Sequence, residues 1–156
     1  MTNLFIWIAN AIFVTGAIFN IYWQSQITIR SRYKYTPIIV SGLFASWVVA
    51  GLSFSFGYIV LIALFLTIGI MDGVGGIGEK RLVNSGFFSS VYKYSQLAHI
   101  TLIPVNLGEK NRVVAIFNLT TRQSVQMIFN NELNVIKQEL EKHINDSTEI
   151  EIGSVQ

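Results

Sequence analysis

The sequence predicts a two-part membrane protein: three transmembrane α-helices, then a small α+β domain whose antiparallel sheet of about five strands is covered by a C-terminal helix. Three observations carry this expectation. Charge is unevenly spread: 51% of the 156 residues are hydrophobic and 13% charged, and residues 1–71 hold only Arg30, Arg32 and Lys34 as charged side chains. From residue 79 the hydrophobic period shortens to that of strands. Further on, Phe129, Leu133, Ile136, Leu140 and Ile144 recur at helical spacing.

Residues 4–23, LFIWIANAIFVTGAIFNIYW, contain no charge. That length crosses about 30 Å of hydrocarbon as a helix. Met1-Thr2-Asn3 lacks the positive flank of a signal peptide, so the run reads as a retained span. The block 38–71 is also uncharged. As one helix it would rise about 50 Å, which favours a hairpin turning at Ser53–Gly57, with spans at 36–54 and 57–73. Tyr33 and Tyr35 suit an interfacial belt, and Val74 and Ile77 the boundary after the last span.

Arg30, Arg32 and Lys34 follow the first span, and Lys80 and Arg81 follow the last. Three spans put both groups on the cytoplasmic side and the N-terminus outside, as positive-inside sorting requires. Gly42, Ser46 and Ala50 form a small-residue stripe for helix–helix packing, within the bundle or at a homodimer seam. Asn10 and Asn20 should face the bundle interior. The spans lack Asp, Glu, Lys and Arg, which argues against an ion-coupled transporter.

Residues 72–78, DGVGGIG, carry four glycines. A phosphate cradle would need a strand before them and a helix after. A span precedes and a strand-like run follows, so the segment reads as a flexible hinge. Strand-like runs follow at 79–84, 87–94, 98–105, 111–118 and 123–128, with the apolar stretch Val113–Phe117 as a central strand. The closing helix takes Asn130 or Asn131 as its N-cap, with Glu132 in its first turn and Lys142 and His143 in its last. The soluble unit is thus 79–145, and 146–156 reads as a mobile tail.

Gly86-Phe87-Phe88-Ser89-Ser90-Val91-Tyr92-Lys93-Tyr94-Ser95-Gln96-Leu97, together with the terminal amphipathic helix, resembles the YobD-like small bacterial membrane proteins. More broadly, the layout is similar to bacterial pleckstrin-homology-like (PH-like) domains attached to membrane spans. The resemblance covers nearly the whole chain. It implies a PH-like sheet, where a complete fold has seven strands, and a bacterial plasma membrane location. The family has no established reaction, so no chemistry comes with it.

The residues themselves point the same way. The chain has no cysteine, which excludes disulfides, thiolate nucleophiles and cysteine zinc sites. Residues 72–156 balance eight Lys/Arg against nine Asp/Glu, so the net charge of +2 arises in one short segment. That excludes a uniformly basic nucleic-acid binder. His99 and His143 have no neighbouring nucleophile in the sequence, and Glu139 and Glu141 do not share a helix face, so all four read as structural or solvated groups. No catalytic, cofactor or metal residues emerge. The candidate surface is the basic collar Arg30, Arg32, Lys34, Lys80 and Arg81, facing anionic lipid or an acidic protein partner. The expectation is a non-enzymatic membrane protein whose cytoplasmic domain is an interaction module for membrane lipids or protein. The broader resemblance extends this to accessory or immunity-type factors against membrane-active peptides. A small membrane enzyme, or a subunit of an enzyme or transporter complex, is the alternative, with Asp72, Glu79 and His99 as its first residues to test.

Overall fold

A computed structural model describes residues 2–51, 55–86, 90–107, 110–144 and 148–153. Three helices come first: α1 (Thr2–Gln24), α2 (Thr36–Gly51) and α3 (Phe56–Met71), with strand β1 (Ile27–Arg30) between α1 and α2. Polar contacts fix their directions. The Asn10 amide donates to the Gly57 carbonyl at 3.1 Å, and Gln24 donates to the Met71 carbonyl at 2.7 Å, so α1 and α3 run side by side and parallel. Phe44 meets Phe65 at 5.2 Å, and α2 returns antiparallel. A Cβ on Gly69 would run into the Ser41 side chain, so glycine there is what lets α2 and α3 touch.

Length separates the helices. Leu4–Gln24 in α1 is 21 residues, about 31 Å of rise. It is the one described helix long and apolar enough to cross a membrane. Helices α2 and α3 have 16 residues each, about 24 Å. The expected three transmembrane helices are therefore corrected to one candidate span and two shorter apolar helices packed beside it. The cause is where the helices stop. The α3 helix closes at Met71, with the Asp72 and Gly73 amides bonding back to Ile68 and Ile70, instead of running to residue 73. Residues 52–54 of the expected turn lie outside the described residues, and Ser55 precedes α3.

The small-residue stripe is also corrected. Ser46 and Ala50 are exposed, and nothing lies within 4 Å of a Cβ on Gly42. The buried face of α2 is one residue over, at Ser41 and Ala45. Asn10 and Asn20 do turn inward, at 4% and 6% exposure.

The remaining strands are β2 (Gly76–Gly78), β3 (Arg81–Val83), β4 (Val91–Lys93), β5 (Leu97–Leu107), β6 (Lys110–Leu119), β7 (Ser124–Phe129) and β8 (Glu149–Ile152), with helix α4 (Leu133–Glu141) before β8. They form two four-stranded sheets, β1-β2-β3-β4 and β7-β6-β5-β8. This replaces the single antiparallel PH-like sheet of about five strands. The expected hairpins β5–β6 and β6–β7 are present, and Val113–Phe117 lies in a central strand. The expected hinge is instead partly strand: Gly76–Gly78 is buried and pairs with β1 and β3. Ile77, expected at a membrane boundary, is fully buried in the core. The expected mobile tail supplies β8, which pairs parallel to β5 from His99↔Glu149 to Leu102↔Ile152. Residues 145–147 and 154–156 lie outside the described residues.

One core joins both sheets and α4. Ile77 and Leu82 from the first sheet pack in the same cluster as Ile100, Leu102, Phe117, Met127 and Phe129 from the second, closed by Ile136 and Leu140. The helix begins later than expected, with Glu132 as N-cap and no side-chain cap bond. Glu139, expected in solvent, is 9% exposed, because α4 turns it toward Lys142 and His143.

Candidate functional site

The segment after α1 keeps strand-like alternation beyond β1. Ile27, Ile29, Ser31 and Tyr33 are half-buried, while Thr28, Arg30, Arg32 and Lys34 are exposed. Backbone bonds hold this extended run against the rest of the fold. Ser31 donates to the Gly75 carbonyl at 2.8 Å, Arg32 to Ile128 of β7 at 2.6 Å, and Lys34 to Gly73 at 3.0 Å. The Tyr33 hydroxyl donates to the Ile70 carbonyl, in the last turn of α3, at 2.8 Å. A Cβ on Gly73 would collide with the Tyr33 ring, so glycine at that position makes room for the tyrosine. Burial, and secondarily the neighbouring Tyr35, raises the Tyr33 pKa.

The five collar cations occupy one end of the helical bundle but fall into separate groups. Arg81 stacks its guanidinium over the Trp23 ring at 4.6 Å, at the end of α1. Lys80 lies beside it in the exposed β2–β3 turn. Arg30 pairs with Gly76 at the other end of the β1–β2 ladder. Arg32 and Lys34 continue from there along the outer edge of β7. The Lys34 ammonium donates to the Ser85 carbonyl at 3.2 Å, and burial lowers its pKa. Among the described residues the ion pairs are His99–Glu151, Lys137–Glu141, Lys142–Glu139 and His143–Glu139. None of these involves a collar residue.

A cleft of about 230 Å³ opens between this run and β7, lined by Ser31, Arg32, Tyr33, Lys34, Tyr35, Met127 and Ile128. Tyr33 and Tyr35 meet edge to face at 5.0 Å. The Ser31 hydroxyl is buried and has no hydrogen-bond partner among the described residues. Sequence reasoning found Arg32 and Lys34 but missed Ser31 and Ile128. The alternation through 27–34 was a signal for Ser31, whereas the approach of β7 is tertiary and leaves no local trace.

The alternative set does not assemble. Asp72 is buried at the end of α3, where its carboxylate accepts from the Asn20 amide at 2.9 Å. Glu79 is exposed in the β2–β3 turn, and His99 reaches Glu151 of β8 at 3.1 Å. These are three separate settings: the end of α3, the β2–β3 turn and the β5–β8 edge. No group of three or more His, Asp or Glu that could hold a metal occurs among the described residues. His143 stacks on Tyr94 at 5.3 Å and bonds Glu139 at 3.2 Å, tying α4 to the turn before β5. The hydrogen bond from Lys142, then that with His143, holds the Glu139 carboxyl below its usual range despite burial. Burial drives the Tyr94 hydroxyl strongly up, against the opposing effect of its bond to the Gly78 carbonyl.

No family model, curated protein or solved structure matches this chain.

Proposed function

We propose that the chain is a non-enzymatic membrane protein of the bacterial plasma membrane whose folded sheet domain works on the cytoplasmic face as an interaction module. In this reading α1 crosses the bilayer with its N-terminus outside. The shorter α2 and α3 enter the same apolar layer from the cytoplasmic side, as a hairpin that stops short of the far face. The sheet domain then rests against the headgroups and presents its basic collar to anionic lipid. An accessory or immunity-type role would follow from what that domain recruits.

The observation that carries the proposal is the convergence of apolar helix ends and cations that form no ion pair among the described residues. The C-terminal ends of α1 and α3 and the start of α2 meet at the end where Arg30, Arg32, Lys34, Lys80 and Arg81 lie. Beyond that end the helices are apolar outside: among the described residues, all of the exposed large hydrophobic side chains but Tyr35, Val135 and Ile152 belong to α1, α2 and α3. Water would penalise such a surface, whereas hydrocarbon does not. Basic side chains at the inner leaflet contribute about 1 kcal/mol each against anionic lipid.

Single cysteines test the arrangement cleanly, because the native chain has no thiol. In intact cells an impermeant maleimide should label Asn3→Cys. Ser154→Cys should react only after permeabilisation, and Ser55→Cys should stay protected from both sides. Labelling of Ser154→Cys from outside would overturn the orientation and the cytoplasmic role with it.

A further inference from the structure

We infer that the cleft between Ser31–Tyr35 and the outer edge of β7 is a discrete binding site for the phosphate of an anionic lipid headgroup. This rests on the membrane reading above but adds to it a single saturable site in place of a diffuse attraction. The collar cations are not equivalent. Arg81 is engaged with Trp23, and Arg30 and Lys80 lie apart along the β1–β2 ladder. Arg32 and Lys34 line a shared cavity. Among the described residues neither takes part in an ion pair, and Lys34 donates to the Ser85 carbonyl, a neutral acceptor.

The cleft also supplies groups that a phosphate uses. A guanidinium offers paired donors matched to phosphate oxygens, and an ammonium adds a compact charge. At about 230 Å³ the cavity falls below the range of about 300–1,000 Å³ that encloses drug-sized ligands, which suits a headgroup fragment and not a whole amphiphile.

Its level in the fold selects the source of that phosphate. Tyr33 is bonded to the last turn of α3 through Ile70, and the Tyr35 carbonyl accepts from the Ile39 amide in the first turn of α2. Tyr35 itself is 64% exposed beside Tyr33, in the manner of an interfacial aromatic. A lipid whose chains lie against α2 and α3 would bring its phosphate to this height. A zwitterionic lipid would also bring an ammonium toward Arg32 and Lys34, so an anionic headgroup is the better match.

The full chain in detergent micelles, titrated with short-chain phosphatidylglycerol and read by native mass spectrometry, tests this. The wild type should saturate with a single lipid retained per chain. Arg32→Gln with Lys34→Gln should weaken retention about tenfold or more, the loss expected for charge-assisted hydrogen bonds. Arg30→Gln with Lys80→Gln removes the same charge and should change it about twofold or less, as exposed charges do. Ile128→Trp keeps every charge, fills the cleft and should abolish retention; it keeps the test decisive if the double variant does not fold. Equal weakening by the two charge-matched pairs would overturn the discrete site while leaving the membrane reading intact, since that reading stands or falls on cysteine labelling. Inorganic phosphate bound in the cleft and not displaced by phosphatidylglycerol would overturn the lipid as its source.

Discussion

The helical half and the sheet half of this molecule are packed in opposite senses. In α1–α3 the interior holds Asn10, Asn20, Ser41 and Asp72, while Leu43 and Trp47 stand 68% and 74% exposed. In the sheets Ile100, Phe117 and Phe129 are fully buried, and charged side chains such as Glu149 and Glu151 face outward. In the proposed membrane setting the same chain follows two solvation rules. Where water surrounds the protein, apolar area is removed from it. Where the surroundings are themselves apolar, the groups drawn together are the polar ones and the small ones.

Substitutions can break this contrast. The largest effect should come from Phe117→Ala in the sheet core, at about 3–5 kcal/mol. Denaturant unfolding in micelles should find the sheet domain lost while the helical circular dichroism of α1–α3 persists. Leu43→Ala, on the outer surface of α2, should cost about 0.5 kcal/mol or less in the same assay. Comparable losses for both would mean that the outer surface of α2 is packed against protein.

The next effect lies inside the bundle. Asn20→Leu adds apolar surface, yet should lower the melting temperature in micelles, because the Asp72 carboxylate loses an amide donor at a buried position. A loss of about 1–3 kcal/mol is expected. An unchanged or raised melting temperature would show that polar contacts do not organise this half.

A further small effect is electrostatic and belongs to the sheet half. Lys142 and His143 hold the Glu139 carboxyl below its usual range in the folded protein. Its stabilisation should therefore be present above the unfolded value of about 4.5 and be lost as pH falls through the folded one. Lys142 is largely exposed, so the contribution should be about 1 kcal/mol or less. Glu139→Gln should be less stable than wild type near neutral pH, and the two should converge in acid. A gap that persists in acid would assign Glu139 a purely steric role.

What the sequence made legible follows from how local each signal is. The β5–β6 and β6–β7 hairpins join neighbouring runs, and α4 has a clear apolar face, so both could be read from spacing. The β2 strand has three residues, two of them glycine, and carries no pattern, while β1 alternates but has its partner far along the chain. The EIEI of β8 is mostly exposed and owes its place to a parallel edge on β5. In α2 apolar residues surround the helix, so spacing alone could not decide between Gly42-Ser46-Ala50 and Ser41-Ala45 as the packed face. The candidate site divides likewise: Arg32 and Lys34 were visible as charges, while the wall formed by β7 was not.

The β1 strand is contributed by the short stretch between two apolar helices, yet it is hydrogen-bonded into the first sheet through Gly76–Gly78. The folded body therefore has no slack leash on which to swing. Bilayer thickness alters helix tilt, so with α1 across the membrane as proposed, a thinner or thicker bilayer that rocks it would turn the whole sheet with it, as a lever turns the shaft to which it is keyed.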